Sequence, residues 1–172
     1  NLSSRNTDIQ QTRSNFVGSR LEYRNPLNNI FFNVSYNFND RTNNVTFLNE
    51  LDEASQQFII KGYNLENNSK TNSARTELGK YFPKFKTNAS VGYNYSLNNY
   101  QQLPANSTPT ESSFIDVEGV NQGVSVKFNN NYFSWLSVDY NANWNFNNTK
   151  SPDDARFNNK TNSFNHALSA YV

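Results

Sequence analysis

The residue with the most obvious capacity for chemistry is His166, the single histidine in a 172-residue chain that has no cysteine. A metal centre built from several imidazoles or thiolates is therefore excluded, and a Ser-His pair has one candidate base. His166 alternates in step with Leu168 and Ala170, which puts it on an apolar face, a place for packing or an interface rather than for catalysis. The expectation is a chain that is not an enzyme and needs no cofactor. Two acidic groups, Glu50-Asp52-Glu53 and Asp153-Asp154, have carboxylates enough to attract calcium, but neither has the ligand spacing of a calcium loop, and both read as solvated loops. Triplets of the Asn-x-Ser/Thr kind, such as Asn44-Val45-Thr46 and Asn106-Ser107-Thr108, are what so Asn- and Ser-rich a chain contains by chance. Tyr63, Tyr100 and Phe157 lie in polar segments where rings could stack on sugars, with no spacing that singles them out.

A ladder of charges is the larger candidate. Arg20, Glu22, Arg24, Arg75, Glu77, Lys86, Lys127 and Asp139 each fall at the polar positions of alternating runs, so they would share the wet face of a sheet. In a membrane barrel that face lines the lumen, where charges meet water or a plug. Turned toward lipid they would cost about 2–4 kcal/mol each near the midplane. Simple solvation of a wide lumen, plug docking and substrate guidance all fit.

The elements that would carry this ladder are strands. Residues 29 to 39 alternate Ile30, Phe32, Val34, Tyr36 and Phe38 with mostly Asn and Ser. Residues 85 to 97 and 134 to 147 repeat the pattern, the second with Leu136, Val138, Tyr140, Ala142, Trp144 and Phe146 on one side. Weaker alternation marks 16 to 24, 72 to 82, 120 to 128 and 163 to 172, giving seven expected crossings, each about the length of a tilted transmembrane strand. Short and long connections alternate between them. Asn25-Pro26-Leu27, Phe82-Pro83-Lys84 and Asn129-Asn130-Asn131 read as tight turns, whereas 40–70, 98–113 and 147–161 read as long outer loops. Within the first loop, Val45 to Leu48 and Phe58 to Ile60 could form a hairpin. Aromatic residues gather at both strand ends: Tyr23, Phe31, Phe82, Phe85, Phe128, Tyr132, Phe133 and Trp135 beside the short turns, and Tyr36, Phe38, Tyr95, Trp144, Phe146 and Phe164 toward the long loops. Amphipathic rings favour the headgroup level, although aromatics also favour strands in general.

Composition agrees with this reading. Mean hydropathy is −0.85 and no apolar run approaches the roughly 20 residues of a membrane helix. Aliphatic residues are few, while aromatics make up 15% of the chain, which argues against disorder. The net charge of +1, with basic residues scattered singly, gives no reason to expect a nucleic-acid partner. Residues 1–172 thus read as one partial domain: an all-β, antiparallel transmembrane β-barrel, incomplete, a segment of a larger wall. An odd strand count leaves an edge of unpaired amides that lipid does not tolerate. No Met is present, and the alternation is still running at Ala170-Tyr171-Val172. Both features lead to the expectation that further strands come from a longer chain or a partner chain.

The stretches from Tyr81-Phe82-Pro83-Lys84-Phe85 to Tyr95-Ser96, and from Asn25-Pro26-Leu27 to Ser35-Tyr36, resemble the barrel of TonB-dependent outer-membrane receptors, in the Asn-rich style of the Bacteroidota. The likeness covers most of the chain as a texture of strands and turns. It implies a barrel of about 22 strands with a plugged lumen, nutrient uptake across the bacterial outer membrane, and as partners outer-membrane lipid, a plug, an inner-membrane energy-coupling protein and a surface lipoprotein. No plug domain, energy-coupling box or C-terminal aromatic signature is found in these residues. A structural or adhesive barrel without energy coupling, or a secreted all-β binding module whose apolar faces meet in a core, would use the same strands.

Overall fold

The computed structural model describes residues 10–52, 57–104 and 107–172. The chain is all-β. Seven strands form one antiparallel sheet in strict sequence order: β1 (Thr12–Asn25), β2 (Ile30–Asn43), β5 (Asn67–Phe82), β6 (Thr87–Gln102), β7 (Ile115–Phe133), β8 (Leu136–Lys150) and β9 (Asn159–Tyr171). The other two strands, β3 (Thr46–Asp52) and β4 (Gln57–Tyr63), make the separate hairpin that the sequence suggested inside the first long connection. Among the described residues, β1 and β9 each pair with one neighbour, so the sheet is not closed.

Directly opposed residues in an antiparallel ladder share a face, and the registers carry two kinds of row across all seven strands. One row runs Tyr23, Phe32, Leu78, Val91, Val126, Ala142 and His166; the next runs Leu21, Val34, Thr76, Tyr93, Val124, Trp144 and Phe164. Between them on the other face lies Glu22, Asn33, Glu77, Gly92, Ser125, Asn143 and Asn165. Phe and Tyr with β-branched Val are favoured on such a pleated surface, which is why a chain this polar still forms long strands.

Among the described residues, nothing covers the apolar face. Leu21 is 63% exposed, Val91 53% and Leu168 69%. The chain's accessible surface is 12474 Å², against about 8,600 Å² for a compact globular chain of this mass. Five of the six buried apolar residues, Val45, Leu48, Leu103, Ile115 and Val117, lie at the long-connection end, where the hairpin and loops pack on the sheet's rim. The sheet itself has no interior.

Strands run further than the alternation marks them, and the connections are correspondingly shorter: 44–66 including the hairpin, 103–114 and 151–158. The expected turn at Asn129-Asn130-Asn131 lies instead within β7, and the reversal occurs at Ser134 and Trp135 after a register shift between Asn130 and Phe133. The reason is side-chain bonding along the ladder. Asn130 Nδ2 donates to Thr87 Oγ1 at 2.6 Å and to the Phe85 carbonyl at 2.9 Å, and Asn129 Nδ2 donates to the Asp139 carboxylate. These bonds hold as strand a segment whose composition favours a turn.

Candidate functional site

Seven of the eight ladder residues come together on the polar face. Arg20 and Arg75 share a row with Ser35 between them, and Glu22 and Glu77 share the next row with Asn33 between them. The result is a compensated quartet: Arg20 Nη2 pairs with Glu22 Oε1, and Glu77 Oε1 accepts from Ser90 Oγ at 3.3 Å. A depression of about 310 Å³ opens over it, lined by Arg20, Asn33, Ser35, Arg75 and Glu77. The buried Asn33 Oδ1 has no hydrogen-bond partner there. Arg24 and Lys127 share a row but are separated by Phe31, Gly79 and Ser90. Asp139 stands alone nearer the short turns, held by Asn129.

Lys86 lies outside the strands. It caps the 3-10 turn Pro83–Phe85 with φ of 46°, before β6 begins at Thr87. In that left-handed conformation strand alternation no longer fixes which face a side chain takes. Phe31 also departs from the expected aromatic girdle: it lies on the polar face with its ring over Gly79, filling the space a Cβ there would need. Two groups of the remaining aromatics are in ring contact, one beside a short turn and one mid-strand on the apolar face. Tyr132, Phe133 and Trp135 are in ring contact at 5.1 and 5.7 Å by the short turn. Trp144 contacts Phe146 at 5.0 Å and Phe164 at 6.4 Å on the apolar face.

All five glycines of the seven-stranded sheet, Gly18, Gly79, Gly92, Gly119 and Gly123, fall on the polar face. At Gly92 an added Cβ would sit 2.6 Å from Ser125 Oγ, and at Gly123 it would sit 2.5 Å from Asn94 Oδ1. Glycines set in strands are one of the devices by which sheets are curved.

His166 lies on the apolar face as its spacing indicated, 5.5 Å from the Phe164 ring and 6.3 Å from Tyr140. Among the described residues no three His, Asp or Glu side chains converge as for a metal ion. Asp153 and Asp154 are used by the loop itself. Asp153 Oδ2 accepts from the Asp116 backbone N–H at 3.1 Å, and Asp154 binds Arg156 through both carboxylate oxygens. The hydrogen bond from the Arg156 side chain, then its backbone N–H and its charge, hold the Asp154 carboxyl below the usual carboxylate range. Side chains of Glu50, Asp52 and Glu53 lie outside the described residues.

Sequence reasoning missed the residues at the long-connection rim, where Asn43, Asn67, Gln101 and Gln102 gather beside the β3 hairpin around a second cavity. They belong to strand ends that are polar on both faces, so no alternation marks them. Protein-family models match no part of the chain, and no curated protein matches it.

Proposed function

We propose that this chain is a segment of the wall of a bacterial outer-membrane β-barrel, with the apolar face toward lipid and the polar face toward the lumen, and that the parent barrel takes up a nutrient with energy from an inner-membrane partner, as a TonB-dependent receptor does. One observation carries the membrane part: an apolar face seven strands wide that none of the described residues covers. Soluble monomers rarely leave contiguous apolar patches beyond a few hundred Å². A sandwich would need a second sheet of comparable area, and the only other sheet among the described residues is the hairpin of two 7-residue strands at the rim.

The registers support tilt as well as burial. Followed across the sheet, the last pair before each short turn moves from Asn25↔Ile30 to Phe82↔Thr87 to Phe133↔Leu136, about two residues further at each hairpin. One residue per strand, at about 3.4 Å rise and 4.8 Å separation, is a tilt of about 35°, within the range of membrane barrels. The apolar run of β2 from Ile30 to Phe38 spans about 27 Å along the strand. At that tilt it covers about 22 Å of height, close to the apolar band of such barrels. Short turns on one side, longer connections on the other, and glycines confined to the polar face fit the same orientation, with the loops outward and the charged quartet inside.

Energy-coupled uptake rests on the resemblance of the strand and turn texture and on a polar face that carries opposed charges. The experiment is fractionation of the full-length parent. Retention in outer membranes through a carbonate wash, with heat-modifiable migration, supports the barrel. Release as soluble protein sinks it and favours a secreted binding module. Loss of nutrient uptake on removing the inner-membrane coupling protein separates a transporter from a structural or adhesive barrel.

A further inference from the structure

The side of the sheet that bears the apolar rows turns charged toward the long connections. Two residues past the row that carries Phe38, Leu97 and Val120, that side presents Lys70, Asn99 and Glu118, directly opposed on β5, β6 and β7. Asn68, Gln101 and Asp116 follow two residues further along the same strands. These six side chains line a groove of about 450 Å³. Two residues at about 3.4 Å rise and about 35° tilt add about 6 Å of height. With lipid on the apolar face, Lys70 and Glu118 therefore stand in the headgroup layer, which is roughly 5–8 Å deep on each side of the hydrocarbon core.

The charges of the groove are uncommitted. Among the described residues, the Lys70 ammonium and the Asp116 and Glu118 carboxylates carry no hydrogen bond or ion pair. Asp40 stands opposite Lys70, and Lys150 opposite Glu118, yet neither pair closes to an ion pair. The amides of Asn68 and Gln101 are already engaged. Asn68 Oδ1 accepts from Thr42 Oγ1 at 2.7 Å, and Gln101 Oε1 accepts from the Asn68 backbone N–H at 3.2 Å. Recognition falls to Lys70, Asn99, Asp116 and Glu118.

One cation and two carboxylates suit a headgroup that carries both signs. A phosphate alone would meet Lys70 but also face two like charges, and an amine alone would leave Lys70 unanswered. Lys70 and Glu118 sit two strands apart, about 10 Å, which leaves room for a phosphate at one and an ammonium at the other. A primary ammonium has three N–H donors to share between Asp116 and Glu118, whereas a quaternary one has none. The phosphate oxygens accept a charge-assisted hydrogen bond from Lys70. We propose that this groove binds the phosphoethanolamine headgroup of a membrane lipid whose acyl chains lie along the apolar rows of β5 to β7. The proposal rests on the lipid-facing reading of those rows and goes beyond it in naming the lipid.

The test is native mass spectrometry of the full-length protein, released from micelles that hold equal amounts of phosphatidylethanolamine, phosphatidylcholine and phosphatidylglycerol. Heat-modifiable migration is recorded for every sample. Phosphatidylethanolamine is expected to be retained about tenfold over the other two. Lys70→Gln and Glu118→Gln should each bring that preference close to parity, while Glu111→Gln, in the neighbouring connection and outside the groove, leaves it unchanged. Equal retention of the three lipids, a preference for phosphatidylglycerol, or an unchanged preference in both groove variants overturns the proposal. Glycerophosphoethanolamine, which has the headgroup without the chains, is expected to leave the lipid bound; full displacement would mean a soluble ligand and would overturn the lipid. A heat shift without headgroup preference removes only the groove. No heat shift and no retained lipid removes the barrel reading with it.

Discussion

A lysine introduced at Val91 separates a lipid-facing surface from a water-facing one. Val91 lies near the middle of the apolar run of β6, between Leu78 and Val126 on the flanking strands, and the three are 53%, 56% and 38% exposed. If water covers this face, replacing an exposed side chain changes stability by no more than about 0.5 kcal/mol beyond a strand-propensity cost of about 1 kcal/mol. If lipid covers it, the ammonium costs about 2–4 kcal/mol more, which is about 30- to 700-fold in the folding equilibrium. Asn143→Lys provides the comparison. Asn143 is exposed on the polar face between Ser125 and Asn165, with no like charge opposite, and its replacement bears no propensity cost, since Asn, like Lys, is disfavoured in strands. The assay is urea titration of the full-length protein folded into phospholipid vesicles, read by heat-modifiable migration. Val91→Lys is expected to lose at least about 3 kcal/mol relative to Asn143→Lys. A difference of about 1 kcal/mol or less would refute the assignment of faces.

Gly79→Val displaces the Phe31 ring and is expected to destabilise by about 1–3 kcal/mol; in the Phe31→Ala background most of that cost should vanish, and a double-mutant cycle in the same titration measures it. Because Arg156 holds the Asp154 carboxyl below its ordinary range, their bridge contributes above the ordinary carboxylate value of about 3.9 and is lost only as pH falls through the lowered one. Hydrogen exchange of loop 151–158 should therefore stay slow from neutral pH down to about pH 4 and rise at neutral pH in Asp154→Asn; a loop that loosens already at pH 5–6 contradicts the bridge. Arg75→Glu sets three acids against one arginine in the polar-face quartet. It should disturb uptake or plug docking far more than Lys86→Glu in the turn, as a transport assay would show, and equal effects would deny the quartet a role.

The strands that cross the apolar band were legible because one face there must be apolar and the other polar: Ile30 to Phe38, Ala89 to Leu97 and Leu136 to Phe146 stand out for that reason. Beyond the band the constraint ends. β2 continues through Asp40 and Asn43 and β6 through Gln101 and Gln102 by backbone pairing and polar side-chain bonds on both faces, which leaves no apolar periodicity to read, so alternation overstates the loops and gives no sign of the amide cavity. The Asn129 to Asn131 segment misled in the opposite sense, since turn-forming residues can bond across a ladder when Thr87 and Asp139 stand opposite. Parity placed Arg20, Glu22, Arg75 and Glu77 on one face, but their assembly into a quartet depends on which strands adjoin. That is set by β5 pairing with β2 past an intervening hairpin, a long-range choice.

The central claim, that lipid covers the apolar face, is tested most directly at Trp144. This side chain lies mid-strand on that face, 46% exposed, with its indole N–H donating to Asn162 Oδ1 at 2.5 Å. With Trp135→Phe removing the chain's other tryptophan, and any tryptophans elsewhere in the parent likewise replaced, fluorescence in vesicles of lipids brominated along the acyl chain reports on this one site. Strong quenching by the brominated chains, with little by aqueous iodide, is the result expected of a barrel wall. Quenching by iodide and indifference to the brominated lipid would mean that the apolar face meets water or another protein instead.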